Sequence, residues 1–235
     1  MSIPALVAVY GNSDSGKTEL VVDLVEEYGE DGLDVCTIKH SPSDTSIDDR
    51  GKDSWRHRKG GAKLIVFSSE VETDFILPEE MKLEDIVERV DKLGNCDLVI
   101  AEGYKDQDVP KVAVGGIEEK DGTIARFEGD RDKLREAIDR ELELRRIEAD
   151  LPGLDCGRCG YDTCRGLAES IYSGESQLGD CEVREEKTVE LKVDGDEVPL
   201  ENFPALMLEQ GVKGMLKSLK GVEESIDQVS LEING

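Results

Sequence analysis

Residues 3–28 read IPALVAVYGNSDSGKTELVVDLVEEY, and this stretch decides the fold. Residues 3–9 are a short, wholly apolar run, the mark of a strand buried on both faces. From residue 17 to 28 the apolar side chains recur at Leu20, Val21, Leu24 and Val25, the spacing of an amphipathic helix. Between them, Gly11, Asn12, Ser13, Asp14, Ser15, Gly16, Lys17 and Thr18 fit the pattern G-x-x-x-x-G-K-S/T. A glycine-rich turn leading from a buried strand into a helix is what a phosphate-binding loop requires. In such a loop, backbone N–H groups and the helix N-terminus receive the phosphates. Lys17 would reach the terminal phosphates and the Thr18 hydroxyl would ligate Mg2+, with Glu19 next to them in the chain.

Working outward, residues 33–38 read as a second strand, and residues 40–54 are polar and turn-rich. That loop is too long for an idle connection, so a functional loop is expected, with a short helix beyond it. Residues 62–68 and 73–77 give further strands, 83–93 an amphipathic helix, and 97–101 and 111–115 more strands. Asp130 is a suitable N-cap for a long charged helix running to about residue 149. Strands alternating with helices predict an α/β domain of the P-loop NTPase type around a mostly parallel sheet. Such a site needs an acidic residue at the C-terminal end of a neighbouring buried strand. Asp97-Leu98-Val99-Ile100-Ala101-Glu102 supplies it, with Glu102 expected to hold Mg2+ or its water shell and to serve turnover. A third group, Lys39, His40, Asp48, Lys52, Asp53, Ser54, Arg56 and His57, lies on the long loop and just after it. It contains both histidines of the chain. Its basic members suit the γ-phosphate or an anionic substrate, the alternative being a solvated charge run.

The chain has 55 Asp and Glu against 29 Lys and Arg, a net charge of −26, and the excess is not a tail. A surface this acidic repels phosphate backbones and anionic membranes, so neither nucleic acid nor a membrane is expected as a partner. Arg50, Lys52, Arg56, Arg58, Lys59 and Lys63 break the trend as a local positive patch, suited to holding a small anion against the overall field. No apolar run approaches the roughly 18 residues of a membrane helix. The opening MSIPALVAVYGNS lacks a basic start and a small-residue cleavage site, so a cytoplasmic protein is expected.

Cys36 and Cys96 sit singly in the apolar runs LDVCTI and NCDLVIA, where they read as buried small apolar residues. Cys156, Cys159, Cys164 and Cys181 crowd together with spacing C-x2-C-x4-C-x16-C. In an intracellular protein such a cluster points to metal: an iron–sulfur cluster, or zinc, although a zinc ribbon favours two C-x2-C knuckles and only one is present. Pro152-Gly153 marks a boundary, giving a nucleotide domain at 1–150, a cysteine domain at 151–185 and a small α+β segment at 186–235. In the last, residues 189–198 read as a hairpin, 203–219 as a helix and 228–233 as a closing strand.

The stretch IKHSPSDTSIDDRGKDSWRHRKGGAKLIVFSS (38–69), with the loop before it and CDLVIAEGYKDQDVPKVAV (96–114) after it, resembles the molybdopterin-guanine dinucleotide biosynthesis protein B (MobB) family. The motifs I-K-H, D-x-x-G-K-D-S-x-R, A-E-G-Y-K and P-K occur in order, over roughly residues 3–150. The resemblance implies a homodimeric, weakly hydrolytic GTP-binding protein that assists attachment of GMP to molybdopterin, alongside a guanylyltransferase and molybdoenzyme maturation proteins. It would place Gly11 to Thr18 at the phosphates, Thr18 and Glu102 at Mg2+, and His40, Asp48, Lys52, Asp53 and Arg56 around the nucleotide or partner. Two departures stand out: Glu19 replaces a second Thr common in the family, and no N-K-x-D guanine-reading motif occurs, so GTP over ATP rests on resemblance alone. The run DCGRCGYDTC (155–164) resembles the small [4Fe-4S] domain of electron-transfer and corinoid-linked proteins. Two other readings stay open: an iron–sulfur electron carrier or sensor switched by nucleotide, and a metal-delivery P-loop GTPase.

Overall fold

The computed structural model describes residues 4–43, 45–184, 191–193, 196–198 and 202–217. The chain divides into two compact units between Asp180 and Cys181. In the first, the elements run β1 (Ala5–Gly11), α1 (Lys17–Glu30), β2 (Val35–Lys39), α2 (Asp53–Lys59), β3 (Ile65–Ser68), β4 (Thr73–Ile76), α3 (Leu83–Gly94), β5 (Leu98–Glu102), β6 (Lys111–Val114), β7 (Thr123–Phe127), α4 (Arg131–Ala149) and α5 (Cys164–Tyr172). Five strands make one parallel sheet in the order β2-β5-β1-β6-β7. The apolar run at the start of the chain becomes the central strand, which is why nearly all of it is buried.

Alternation along β1 sends its side chains to two cores. Val7 and Val9 join Leu20, Leu24 and Tyr28 of α1 and Leu134, Ile138 and Leu142 of α4 on one face. Ala8 joins Ile38, Val99, Ala101 and Leu83 and Val87 of α3 on the other. Helices therefore cover both faces, as an all-parallel sheet demands. The Asp130 side chain caps α4 by accepting the Lys133 backbone N–H, as expected. Among the described residues no helix is long and apolar enough to cross a membrane.

The structure departs from the sequence reading in several places, among them the strand β7, which that reading does not include. The strands expected at 62–68 and 73–77 form, but as a separate antiparallel ribbon, β3–β4, outside the main sheet. Val66, Phe67 and Phe75 on it stay about half exposed. Another departure is a correction: Cys36 and Cys96 are not independent apolar fillers but are joined as a disulfide, their Cα atoms 6.0 Å apart. The cause is register. Parallel pairing sets Cys36 opposite Val99, which brings Cys96, just ahead of β5, beside β2. Sixty residues separate the two in sequence, so only the strand order reveals the pair.

α5, not anticipated from the sequence, packs on α4. Arg165 of α5 reaches Glu141 at 2.6 Å, and Arg140 of α4 lies over the Tyr172 ring. In the second unit, β8 (Leu191–Val193) and β9 (Asp196–Val198) pair antiparallel and α6 (Asn202–Lys217) follows, matching the expected hairpin and helix. The strand expected at 228–233 lies outside the described residues.

Candidate functional site

The sheet brings the ends of β2, β5 and β1 together at its C-terminal edge, where ligands of open α/β sheets bind. β1 turns at Gly11, where a Cβ would fall 2.5 Å from the Val114 carbonyl oxygen and 2.6 Å from Ser15 Oγ, so no side chain fits. Asp14 and Gly16 take φ of 57° and 85°, and the left-handed Gly16 delivers the chain into α1. Lys17 Nζ donates to the Asn12 carbonyl oxygen at 2.5 Å, which lays the ammonium across the loop. Ser15 Oγ is buried without a hydrogen-bond partner. An orphaned hydroxyl inside a glycine-rich loop is what a bound anion would satisfy. Glu19 is exposed in the first turn of α1.

Glu102 is the meeting point. The registers Val9↔Glu102 and Lys39↔Glu102 place it between the loop strand and β2. Its Oε2 accepts the Thr18 hydroxyl at 3.1 Å, and its Oε1 accepts Lys39 Nζ at 2.6 Å. A hydroxyl and a carboxylate converging at the sheet edge are the oxygen donors a hard divalent cation takes, so the residues present fit Mg2+. His40 follows directly. Its backbone N–H donates to the Glu102 carbonyl oxygen at 2.9 Å, and its ring packs on Tyr104 with centroids 4.5 Å apart. Gly103, between Glu102 and Tyr104, takes φ 112°, and a Cβ there would press on the His40 Cβ at 3.0 Å. Burial pushes the Tyr104 phenol pKa up. The sequence reading does not single out Tyr104, and it takes Lys39 only as one of a basic group. The run Ala101-Glu102-Gly103-Tyr104-Lys105 and the strand-end position of Lys39 are the signals that could have found them.

The other loop residues form a separate local group. Ser54 donates to Asp48 Oδ1 at 2.7 Å while Asp48 Oδ2 is buried without a partner. Lys52 stands at the N-cap of α2, and Asp53 pairs with Arg56 at 3.1 Å on the surface. Among the described residues no hydrogen bond or ion pair joins Asp48, Lys52, Asp53 or Arg56 to residues 11–18.

The cysteine segment has its own organisation. Asp155 Oδ1 accepts the Cys164 backbone N–H at 2.6 Å, closing the loop that carries Cys156 and Cys159, and Thr163 caps α5 through the Gly166 N–H. Asp155, Gly157 and Gly160 all have positive φ. Cys156 is exposed, Cys159 and Cys164 are half-buried and Cys181 is buried, all four as free thiols. Four free thiols suit a thiolate-bound metal centre by donor chemistry. Among the described residues no three His, Cys, Asp or Glu side chains converge as a metal site.

A family model described as "MobB: Molybdopterin guanine dinucleotide synthesis protein B" matches residues 6–128. This chain belongs to the MobB family. A second model, described as "Putative Fe-S cluster", matches residues 151–183, the segment holding the four free cysteines. The chain is 30% identical over 227 residues to a Methanocaldococcus jannaschii protein named "Putative molybdopterin-guanine dinucleotide biosynthesis adapter protein", covering 93% of each. It is 31% identical over 171 residues to the Escherichia coli K12 "Molybdopterin-guanine dinucleotide biosynthesis adapter protein", covering 71% of this chain and 90% of that one. Over 35 residues it is 51% identical to a component of the ion-translocating oxidoreductase complex of Cereibacter sphaeroides, 15% of this chain and 19% of that one. The MobB match thus takes in the loop, Lys39 and Glu102 together.

Proposed function

We propose that this MobB-family chain is a GTP-binding adapter in molybdenum or tungsten cofactor maturation, acting in molybdopterin guanine dinucleotide formation. The observation that carries the reading is the convergence of the loop, through Thr18, on Glu102 at the sheet edge, in a chain akin over most of its length to proteins named for that role. Residues 1–150 are the nucleotide part. Backbone N–H groups of Gly11 to Lys17 and the N-terminus of α1 receive the phosphates, and Lys17 moves from the Asn12 carbonyl to a phosphate oxygen. Thr18 and Glu102 would hold Mg2+, which neutralises phosphate charge when bound. His40, backed by Tyr104, borders the metal side. Asp48, Lys52, Asp53 and Arg56 present charge from the long loop to the nucleotide or a partner. Turnover is weak at most, with Glu102 serving it.

Residues 151–185 are the iron–sulfur segment, with Cys156, Cys159, Cys164 and Cys181 as the ligands of a [4Fe-4S] cluster, and residues 186–235 follow as a separate part. The spacing and the matched family model support this. The protein works in the cytoplasm as a homodimer, for which Val66, Phe67 and Phe75 offer apolar surface. It meets a molybdopterin guanylyltransferase and molybdoenzyme maturation proteins there.

The test is calorimetric titration of GTP into the wild type, Lys17→Ala and Glu102→Gln. Lys17→Ala should cost on the order of 2–3 kcal/mol, the value of a charge-assisted phosphate contact. Glu102→Gln should keep most of the affinity and lose its Mg2+ dependence. Unchanged GTP affinity in Lys17→Ala would remove the phosphate-loop assignment.

A further inference from the structure

Lys39 ends β2 directly opposite Glu102, because parallel strands in this register finish flush. The Glu102 carboxylate is taken on both oxygens, by the Thr18 hydroxyl at 3.1 Å and the Lys39 ammonium at 2.6 Å. The two partners of the ion pair are unequally free. The Glu102 side chain is 13% exposed and that of Lys39 is 67% exposed. The carboxylate is therefore the fixed end and the ammonium the movable one. The His40 N–H bond to the Glu102 carbonyl and the His40–Tyr104 stack tie the strand end itself, and the exposed part of the pair is the lysine stem.

A divalent cation drawn by Thr18 and Glu102 must meet this carboxylate directly or through its water shell. An ammonium in contact neutralises the carboxylate and weakens its pull on a second cation. A nucleoside triphosphate changes that balance. Its phosphates are strong acceptors for an ammonium on a flexible four-carbon stem, and they leave Glu102 to the metal. We propose that Lys39 is a positioning residue that guards Glu102 against divalent cations, so that the metal enters this site together with phosphate and not before it. This rests on the nucleotide reading above.

Binding of Mn2+ to the full chain, followed by the paramagnetic signal of free manganese, tests it without reference to turnover. The proteins are wild type, Lys39→Met, Lys39→Arg and Lys39→Met combined with Glu102→Gln, each with and without GTP and checked for matching far-ultraviolet circular dichroism. The acidic surface will hold Mn2+ weakly in every case, and the double variant sets that background. Without nucleotide, Lys39→Met should gain one site on the order of tenfold tighter than in the wild type. Lys39→Arg, which keeps the charge, should stay like the wild type, and the double variant should lose the gain. In the wild type the site should appear when GTP is added. A Lys39→Met protein no different from wild type without nucleotide would overturn the proposal, as would a gain shared by Lys39→Arg or surviving in the double variant. If no variant and not the wild type binds GTP, the nucleotide reading fails; if GTP binds normally and the manganese gain is missing, only the role of Lys39 fails.

Discussion

Replacing Arg165 by methionine should release α5 from α4. The guanidinium lies 2.6 Å from Glu141, 3.6 Å from Glu148 and 3.5 Å from Glu169. The Glu141 side chain is only 4% exposed, so it depends on Arg165 for its charge to be tolerated. Burial works against the charge of Arg165, but these carboxylates outweigh it, and its pKa is raised. Breaking a buried pair from one side costs about 3–5 kcal/mol. Arg165 is itself 32% exposed, which favours the lower end, about 3 kcal/mol. That corresponds to a rise of about 10²-fold in the local opening equilibrium.

Hydrogen exchange of the backbone amides of residues 164–172, measured on the full chain, reads this opening directly. Amides of β1 and α1 in the same sample serve as the internal reference and should not change. Combining Arg165→Met with Glu141→Leu removes both charges and should restore most of the protection, because an apolar pair does not leave a stranded carboxylate. An increase in exchange of less than about fivefold, or a double variant no better protected than the single one, would refute the reasoning: α5 would then be held by the buried Leu167 and Ala168 and the Arg140 contacts, not by Arg165.

Alkylation of the unfolded, metal-free chain without reductant should label four of the six cysteines, and all six after reduction; six labels without reductant would remove the Cys36–Cys96 bond. Cys159→Ser should abolish a broad absorption near ~400 nm of thiolate-bound iron–sulfur and loosen residues 153–163 more than α5, with GTP binding kept; a colourless wild type containing stoichiometric zinc would overturn the iron–sulfur assignment. The Lys133 backbone N–H holds the Asp130 carboxyl below its ordinary range. A lowered folded-state pKa gives stability that is present above the ordinary aspartate range and lost as pH falls through the lower folded value, so the melting-temperature gap between wild type and Asp130→Asn should hold at neutral pH and shrink only as pH drops below that ordinary range. A gap independent of pH would show that the cap acts without its charge.

The parts of the fold that announce themselves in the sequence are those whose pattern is local. Residues 3–28 carry strand, loop and helix within one unbroken stretch, and Glu102 follows four apolar residues that need two covered faces. What stays hidden needs knowledge of strand order. Cys36 and Cys96 look like separate fillers until β2 lies beside β5, and the same adjacency turns Lys39 from one basic residue among several into the partner of Glu102. β7 is only half-buried along its length, at the edge of the sheet, so it lacks the apolar run that marks β1 or β5. α5 escapes notice because the cysteines and glycines around it read as a metal loop, while its apolar side is short.

Helix α4 shows why a strongly charged sequence can still be a central element. Leu134, Ile138 and Leu142 recur at the helical interval and face the sheet, and the charges to either side are matched by neighbours of opposite sign. Toward α1, Arg131 pairs with Asp23, and Arg135 with Glu27 and Asp31; toward α5, Glu141 and Glu148 receive Arg165, and Arg140 faces Glu169. The same helix therefore braces the one that begins at Lys17 and the one that begins at Cys164. Neither set of pairs involves a residue of the phosphate loop or a thiol. Changes at the loop or at the cysteines should therefore first alter their own short segments, and α4 is the element packed against both α1 and α5 through which the two can be linked.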